Sequence, residues 1–261
     1  KDMNKNSTAK SQTSKLNGSR AGRLKVRLLK TYYGNILKDM RIICITGTTG
    51  KSVVAYYVYH ILKEANEKVA VLASEDEIKV GTLYKFFSDA WKAGADYCII
   101  TTPAKSLKKD VFYQMPVYLA ALTDYVPSKL TDLSPEEYTA AENTLFDLNP
   151  EYVVLNRDDS HYPNFSQFKG KQGTVTYGSD YYCDTKIERR TLYRKGSEAT
   201  LNLNGNHLTV ASFIAGEPNI SYMAAAATIG HLMHYTEDQI VNGISNFDPD
   251  HIAGQLFRAH Q

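Results

Sequence analysis

The segment at 42–52, IICITGTTGKS, constrains the fold of this chain more than any other. A β-branched apolar run gives way to a turn of small residues, and a helical apolar pattern follows at once. This order predicts a buried strand, a phosphate-binding loop and a helix, because glycines let the backbone take positive φ and approach a ligand. The commoner form of this loop has a glycine where the chain has Ile45, so the loop is the shorter G-T-x-G-K-[ST] form. The alternative interpretation is an ordinary glycine-rich turn between a strand and a helix.

The loop residues predict a site for nucleotide phosphates and Mg²⁺. Backbone N–H groups and the positive end of the helix dipole would converge on phosphate oxygens. The residues that line this part of the loop are Gly47, Thr48, Thr49 and Gly50. Lys51 would reach the β- and γ-phosphates, and Ser52 would offer its hydroxyl to a bound Mg²⁺.

Segments typical of strands and helices alternate along the rest of the chain. Strands are predicted at 68–73, 97–101, 117–123 and 151–156, and helices at 82–93, after Ser134, at 219–231 and at 236–246. Ser134 with Glu137, and Thr236 with Gln239, form capping boxes. Because the strands are continuous apolar runs, they indicate a parallel sheet covered on both faces. A ligand should lie at the carboxyl ends of these strands, where the phosphate loop lies.

The pattern changes between 174 and 211, where short alternating strands are separated by turns at 195–196 and at Asn204-Gly205. An Asn-Gly pair between such strands is a strong hairpin signal. The predicted fold class is therefore α/β, a mostly parallel sheet of the phosphate-loop type flanked by helices, with a small antiparallel β appendage.

Composition and charge set the expected organisation of the chain. The 261 residues carry a net charge of +2, which favours no particular partner, and nucleic acid is not an expected one. Residues 1–22 are basic and polar and predict a disordered arm, either solvated or in weak contact with lipid or nucleic acid. Residues 23–40 predict a short helical lead-in, and 41–261 the main domain. The chain begins at Lys1 without a methionine, so we expect that it could be a fragment.

The cysteine content and hydropathy indicate the expected compartment. Three cysteines, Cys44, Cys98 and Cys183, do not make a disulfide framework, and two of them lie in predicted buried strands. No run of about 18 apolar residues is present, and no signal-peptide pattern opens the chain. We expect a soluble protein of the reducing cytoplasm that does not enter a membrane.

Four stretches occur in the order found in the Mur ligase family and resemble its central ATP-binding domain, most closely that of the muramyl-tripeptide synthetases. They are ITGTTGKS at 45–52, the segment 121–146, LNRDD at 155–159 and PNISYMAAAA at 218–227. The resemblance covers roughly residues 25 to 258. It implies transfer of phosphate from ATP to a substrate carboxylate, giving an acyl phosphate that an incoming amine attacks.

The resemblance also implies roles for individual residues. Lys51 and Ser52 would keep the phosphate and Mg²⁺ roles described above. Asn219 would contact the adenine, and Asn156 with Asp158 and Asp159 would mark the strand end at the nucleotide site. The alternative interpretations are a helix-capping asparagine and polar turn residues.

The chain departs from the family at several positions. Thr101 stands where the family has a Mg²⁺-binding glutamate, Lys129 where it has a histidine, and Tyr222 where it has a second adenine-motif asparagine. Glu142 replaces a lysine that is carbamylated in the active enzymes, so it could supply the same negative charge to a metal, or it could lie on a solvated helix face. Lys51, Lys129 and Glu142 are the candidate catalytic residues, and Ser52 and Glu142 the candidate metal ligands.

Three functions follow as hypotheses. The favoured one is the ATP-binding domain of an amide ligase of peptidoglycan precursor synthesis, acting on a UDP-muramyl peptide or another carboxylate. Such a ligase would need a separate C-terminal domain, and we expect this domain to be absent because the sequence stops at Gln261. The second hypothesis is a catalytically degenerate nucleotide-binding or scaffold protein of the same fold. A phosphotransferase acting on another small carboxylate is the third.

Overall fold

The computed structural model describes residues 23–29, 31, 33, 36–126 and 133–249. Strand β1 (Arg41–Thr46) lies in the interior of the sheet and is buried on both faces beyond its first residue. Ile43 and Ile45 belong to one hydrophobic core, and Ile42 and Cys44 to the core on the opposite face. Because successive side chains of a strand point to opposite faces, an unbroken apolar run is what a strand between two cores requires.

The nine strands found among the described residues form one sheet in the order β2-β3-β1-β4-β5-β6-β7-β8-β9. The other strands are β2 (Val69–Leu72), β3 (Tyr97–Thr101), β4 (Val117–Leu122), β5 (Tyr152–Asn156), β6 (Gly173–Gly178), β7 (Thr185–Tyr193), β8 (Gly196–Leu203) and β9 (Asn206–Ser212). All pairs from β2 to β7 are parallel, and β7, β8 and β9 are antiparallel. The predicted fold class is confirmed.

Helices cover both faces of the sheet. They are α1 (Lys51–Glu64), α2 (Val80–Lys92), α3 (Ala104–Lys108), α4 (Pro135–Phe146), α5 (Tyr162–Phe165), α6 (Glu217–Leu232) and α7 (Glu237–Ser245). Helices α1, α6 and α7 pack on one core with β8 and β9, and α2 to α5 pack on the other. Both predicted capping boxes are present, with Ser134 at the start of α4 and Thr236 at the start of α7.

The boundary of the antiparallel part differs from the prediction. The segment 174–178, expected in the antiparallel appendage, belongs to β6, which pairs in parallel with β5 from Tyr152↔Gly173 onward. The residues of 174–178 alternate in the same way as those of the later, antiparallel strands. Only the pairing of β6 with β5 shows that this segment belongs to the parallel part of the sheet. The Asn204-Gly205 turn is confirmed, since both residues have positive φ, 53° and 99°. The antiparallel strands continue the main sheet directly.

Parts of the predicted organisation lie outside the described residues. They are the arm at 1–22, residues 30, 32, 34 and 35 of the lead-in, the segment at 127–132, and residues 250–261 at the end of the predicted main domain. In the lead-in, residues 23–29 are helical and Ile36–Lys38 form a 3-10 turn. Val26 is buried against the core, and Arg23 Nε lies 3.0 Å from Asp110 Oδ2. No helix among the described residues has the length and apolar character to span a membrane.

Candidate functional site

The loop between β1 and α1 has the backbone that its glycines predict. Gly47 has φ 131° and Gly50 has φ 76°, values that side chains rarely permit. A Cβ at Gly47 would lie 2.1 Å from Thr123 Oγ1, and one at Gly50 would lie 2.2 Å from the Tyr222 ring. Glycine is therefore required at both positions for conformation and for space. The first N–H groups of α1 have no partner within the helix and face the carboxyl edge of the sheet.

The predicted phosphate lysine lies over its own loop. Lys51 Nζ donates to the Gly47 carbonyl at 3.0 Å and lies 2.9 Å from Glu75 Oε2. Ser52 Oγ donates to Glu75 Oε1 at 2.6 Å. Burial acts to raise the pKa of Glu75, but the hydrogen bonds from Lys51 and Ser52 and the charge of Lys51 hold it below its ordinary value. Lys51 and Ser52 thus both contact the carboxylate of Glu75, a residue that was not predicted from the sequence.

Thr48 and Thr49 are attached to the end of β4 through Asp124. The Asp124 carboxylate accepts the Thr48 hydroxyl at 2.8 Å, the Thr49 N–H at 2.8 Å and the Thr49 hydroxyl. The Asp124 carbonyl accepts the Thr48 N–H at 3.0 Å. These contacts fix the loop, and they leave the N–H groups at the start of α1 as the principal backbone donors for a phosphate.

Glu142 is buried in the interior beside β1, so the solvated-face alternative was wrong. Its side chain is 0% exposed, and one carboxylate oxygen accepts the Thr46 hydroxyl. Oε1, the other oxygen, has no hydrogen-bond partner, although the Tyr138 hydroxyl lies nearby. Burial raises the pKa of Glu142 to about 7, against the lowering effects of Thr46, Tyr138 and the charge of Lys51. A buried carboxylate with an unpartnered oxygen is a candidate metal or proton site.

The residues at the end of β5 make contacts within the protein. Asn156 Nδ2 donates to the Thr123 carbonyl at 2.9 Å, and Asn156 Oδ1 accepts the Asp158 N–H. The Asp158 carboxylate accepts the Ser179 N–H at 2.7 Å. Asp159 accepts the N–H groups of Tyr125 and His161. These bonds join the ends of β4, β5 and β6 at the edge that carries the phosphate loop, and the nucleotide contacts stay predictions.

Asn219, predicted at the adenine, is 2% exposed and has partners on both sides of its amide. Asn219 Oδ1 accepts the Tyr57 hydroxyl at 2.8 Å, and Nδ2 donates to Ser197 Oγ at 2.8 Å. Tyr222, which replaces the second asparagine, lies against Gly50, and its hydroxyl is 2.8 Å from Thr49 Oγ1. The adenine contact of Asn219 stays a prediction, and in this structure the side chain joins α1, α6 and β8.

Thr101 has no anionic oxygen to offer, as the sequence indicated. Its hydroxyl accepts the Ser74 N–H at 2.7 Å and donates to the Ser74 carbonyl at 2.8 Å. The residue after Ser74 is Glu75. A carboxylate therefore reaches the loop from the turn after β2 instead of from the end of β3. Lys129 lies outside the described residues.

Sequence reasoning missed two residues of the site, Glu75 and Asp124. Both follow buried strands at the carboxyl edge of the sheet, after β2 and β4, and that position was the available signal. Glu75 is one of three acidic residues in SEDE at 74–77, which reads as an exposed turn. The side chain that reaches the phosphate loop could therefore not be chosen from the pattern.

The arrangement can bind a polyphosphate and is suited to Mg²⁺. Lys51 supplies a positive charge, and Ser52, Glu75 and the unpartnered Glu142 Oε1 supply hard oxygens, which are the ligands that Mg²⁺ prefers. Across the described part of the chain, no group of three or more His, Cys, Asp or Glu side chains could hold a metal alone. Mg²⁺ in phosphate-transfer sites takes one or two carboxylates and completes its shell with phosphate and water, so these residues fit it.

A mostly parallel α/β sheet with this loop between its interior strand β1 and the following helix defines a phosphate-loop nucleotide-binding fold. The chain belongs to the family of Mur ligase middle domains, whose family model matches residues 45–230. The resemblance stated from the sequence is thereby confirmed.

Individual relatives agree with this family. Over 204 residues the chain is 28% identical to the UDP-N-acetylmuramoyl-L-alanyl-D-glutamate–2,6-diaminopimelate ligase of Clostridium tetani, covering 73% of this chain and 42% of the ligase. A solved structure of a ligase with the same name has a TM-score of 0.75 at 19% identity, covering 88% of this chain and 50% of the other. A solved FPGS–AMPPCP complex has a TM-score of 0.66 at 13% identity, covering 84% and 67%. The chain thus spans about half the length of the ligases that it matches.

Proposed function

We propose that this chain is the ATP-binding domain of an ATP-dependent acid–amino acid ligase of peptidoglycan precursor synthesis. The observation that carries the proposal is the buried Lys51 beside Ser52 at the start of α1, on the carboxyl edge of a parallel sheet. Support comes from the ligase of Clostridium tetani and from the FPGS complex with AMPPCP, a non-hydrolysable analogue of ATP.

In the proposed reaction, a carboxylate oxygen of the substrate attacks the γ-phosphorus of ATP, and ADP leaves. The attack of an amine on the resulting acyl phosphate forms the amide and releases inorganic phosphate. Lys51 leaves Glu75 and contacts the phosphate oxygens, where its charge stabilises the transferred group. The N–H groups of Gly50, Lys51 and Ser52 orient the phosphates. Mg²⁺, when bound, would neutralise phosphate charge, with Ser52 and Glu142 as its proposed ligands.

The remaining parts of the proposal concern the substrate and the rest of the enzyme. The carboxylate substrate would be a UDP-muramyl peptide or a related acid, and a separate C-terminal domain would present the amine. Lys129 would act as the basic residue at the place of the family's histidine. The proposed compartment is the cytoplasm, where the buried thiols of Cys44 and Cys98 would stay reduced.

A second function, nucleotide binding without ligation, is favoured by one observation. Thr101 stands where the resemblance implies an acidic residue, and its hydroxyl is hydrogen-bonded to both the N–H and the carbonyl of Ser74. A protein that had lost its phosphoryl-transfer chemistry would keep Lys51 and the loop but release no phosphate. The two functions therefore differ in turnover and agree in binding.

The test is calorimetry of Mg·ATP binding, with phosphate release followed on the same samples. Lys51→Ala should weaken binding by about 10- to 100-fold, because a hydrogen bond to a charged group contributes about 1.5–3 kcal/mol. Lys85→Ala is the matched control, since Lys85 is an exposed lysine paired with Asp89 on α2. Binding with turnover supports the ligase, binding without turnover supports the second function, and no binding by the wild-type chain overturns both.

A further inference from the structure

An accessible carboxylate lies beside the hydroxyl that the phosphate-loop motif assigns to Mg²⁺. Glu75 Oε1 is 2.6 Å from Ser52 Oγ, and Glu75 Oε2 is 2.9 Å from Lys51 Nζ. The Glu75 side chain is 62% exposed, whereas that of Lys51 is 6% exposed. Glu75 therefore reaches the buried loop from the solvent side, the side from which a metal–nucleotide complex would arrive.

The spacing of the two oxygens suits neighbouring ligands of one ion. Mg²⁺ binds oxygens octahedrally at about 2.0–2.1 Å, so adjacent ligand oxygens are roughly 2.9 Å apart. The distance of 2.6 Å between Glu75 Oε1 and Ser52 Oγ is that of a hydrogen bond. Replacing the shared proton by a cation requires the oxygens to separate by only a few tenths of an ångström, which an exposed glutamate side chain accommodates.

The backbone before Glu75 is held by the neighbouring strand. The Thr101 hydroxyl at the end of β3 bonds to both the N–H and the carbonyl of Ser74, at 2.7 and 2.8 Å. Strands β2 and β3 are paired up to Leu72↔Ile100, so this contact extends their pairing to the residue before Glu75. Thr101 is therefore a positioning residue that directs the Glu75 carboxylate to the phosphate loop.

We propose that Glu75 is a carboxylate ligand of Mg²⁺ in the Mg·ATP complex of this chain, adjacent to Ser52. This inference rests on the proposed binding of ATP. When phosphates arrive, the Glu75 carboxylate exchanges Lys51 for the metal, and Lys51 becomes free to contact the phosphates. The exchange leaves no buried charge unpaired, because the phosphates replace the Glu75 carboxylate beside the buried Lys51. The buried Glu142 accepts the Thr46 hydroxyl at the end of β1 and has one unpartnered oxygen, so a second carboxyl group lies at the start of the same loop.

The experiment measures how strongly Mg²⁺ and nucleotide favour each other's binding. The dissociation constant of AMPPCP is determined by calorimetry in EDTA and in excess Mg²⁺, on the wild-type chain, Glu75→Gln and Glu77→Gln. Glu77 is the matched control, because it lies in the same turn and pairs with Lys109 at 2.6 Å. Mn²⁺ binding followed by electron paramagnetic resonance, with AMPPCP present, gives a readout that does not depend on turnover.

The expected result is a loss of at least about 10-fold in the Mg²⁺ effect for Glu75→Gln, since even residues behind a metal ligand contribute about 10- to 100-fold. Metal-free AMPPCP should bind Glu75→Gln as well as or better than wild type, and Glu77→Gln should match wild type in both conditions. Glu75→Asp should retain part of the Mg²⁺ effect. The inference would be overturned if Glu75→Gln showed the same Mg²⁺ effect on AMPPCP binding as the wild type. It would also be overturned if Glu75→Gln bound AMPPCP more tightly by the same factor with and without Mg²⁺, because Glu75 would then only compete with phosphate. No AMPPCP binding by the wild-type chain would instead refute the proposed function itself.

Discussion

The buried carboxyl of Glu142 should make the stability of the metal-free protein depend on pH. Burial raises the pKa of Glu142 from 4.5 to about 7. Since the folded-state pKa is above the unfolded-state value, the folded protein binds more protons between these two pH values. Its free energy of unfolding must then decrease as pH rises through this window. Glu142→Gln removes the titration and keeps the size and polarity of the side chain.

The magnitude follows from the two pKa values. A difference of 1 between the folded-state and unfolded-state pKa values corresponds to about 1.4 kcal/mol. Most of the resulting change in the free energy of unfolding falls between pH 5 and pH 8. Over that range Glu142 should lower the free energy of unfolding of the wild type by roughly 2.5 kcal/mol relative to Glu142→Gln. Burial lowers the pKa of His60, which gives the opposite slope, but His60 is present in both proteins and cancels in the difference.

The assay is urea unfolding at several pH values in EDTA, followed by circular dichroism. The wild type and Glu142→Gln should have similar stability at pH 5, and the variant should be the more stable at pH 8. Glu136→Gln is the matched control, because Glu136 is exposed on the first turn of the same helix. Parallel pH profiles for the wild type and Glu142→Gln would refute the reasoning, since they would mean that Glu142 is ionised normally or reaches solvent.

Four further substitutions test the fold and the site. Gly243→Ala should destabilise the protein by about 1–3 kcal/mol, because a Cβ at position 243 would lie 2.5 Å from the backbone of α1. Gly81→Ala should stabilise the protein by up to about 1 kcal/mol, because the space around Gly81 is open. Thermal unfolding measures both effects. Ser134→Ala should cost about 1 kcal/mol by loss of the capping box of α4, measured by urea unfolding. Thr101→Val should reduce the Mg²⁺ effect on AMPPCP binding in the same direction as Glu75→Gln, and an unchanged effect would remove Thr101 from its positioning role.

Much of the fold could be predicted because its signals are local. The apolar run at 42–46, the glycines at 47 and 50, and the two capping boxes each determine structure within a few residues of themselves. The placement of β6 could not be predicted in this way. Its alternation is the same in a parallel and an antiparallel pair, and only the contact with β5 decides between them.

The site was less predictable than the fold, because its side chains meet through tertiary contacts. Glu142 was assigned from its place in a motif, but its burial depends on how α4 packs against β1 and Thr46. A periodic pattern alone left open whether this helix face was solvated. The uncharged position at the end of β3 was evident from the sequence, whereas the carboxylate that reaches the same loop comes from the turn after β2.

In the proposed Mg²⁺ site, the Glu75 carboxylate would take the place of the acidic residue that the resemblance to the family implies at position 101. Strands β2 and β3 end side by side, so a carboxylate extending from either end can approach the loop that follows β1. At position 101 a side chain begins on the strand itself, but at position 75 it begins on a turn and needs an anchor. Thr101 provides that anchor through both of its hydrogen bonds to Ser74. The Thr101 hydroxyl and the Glu75 carboxylate thus depend on each other. A substitution of either residue should change the contact between Glu75 and Ser52.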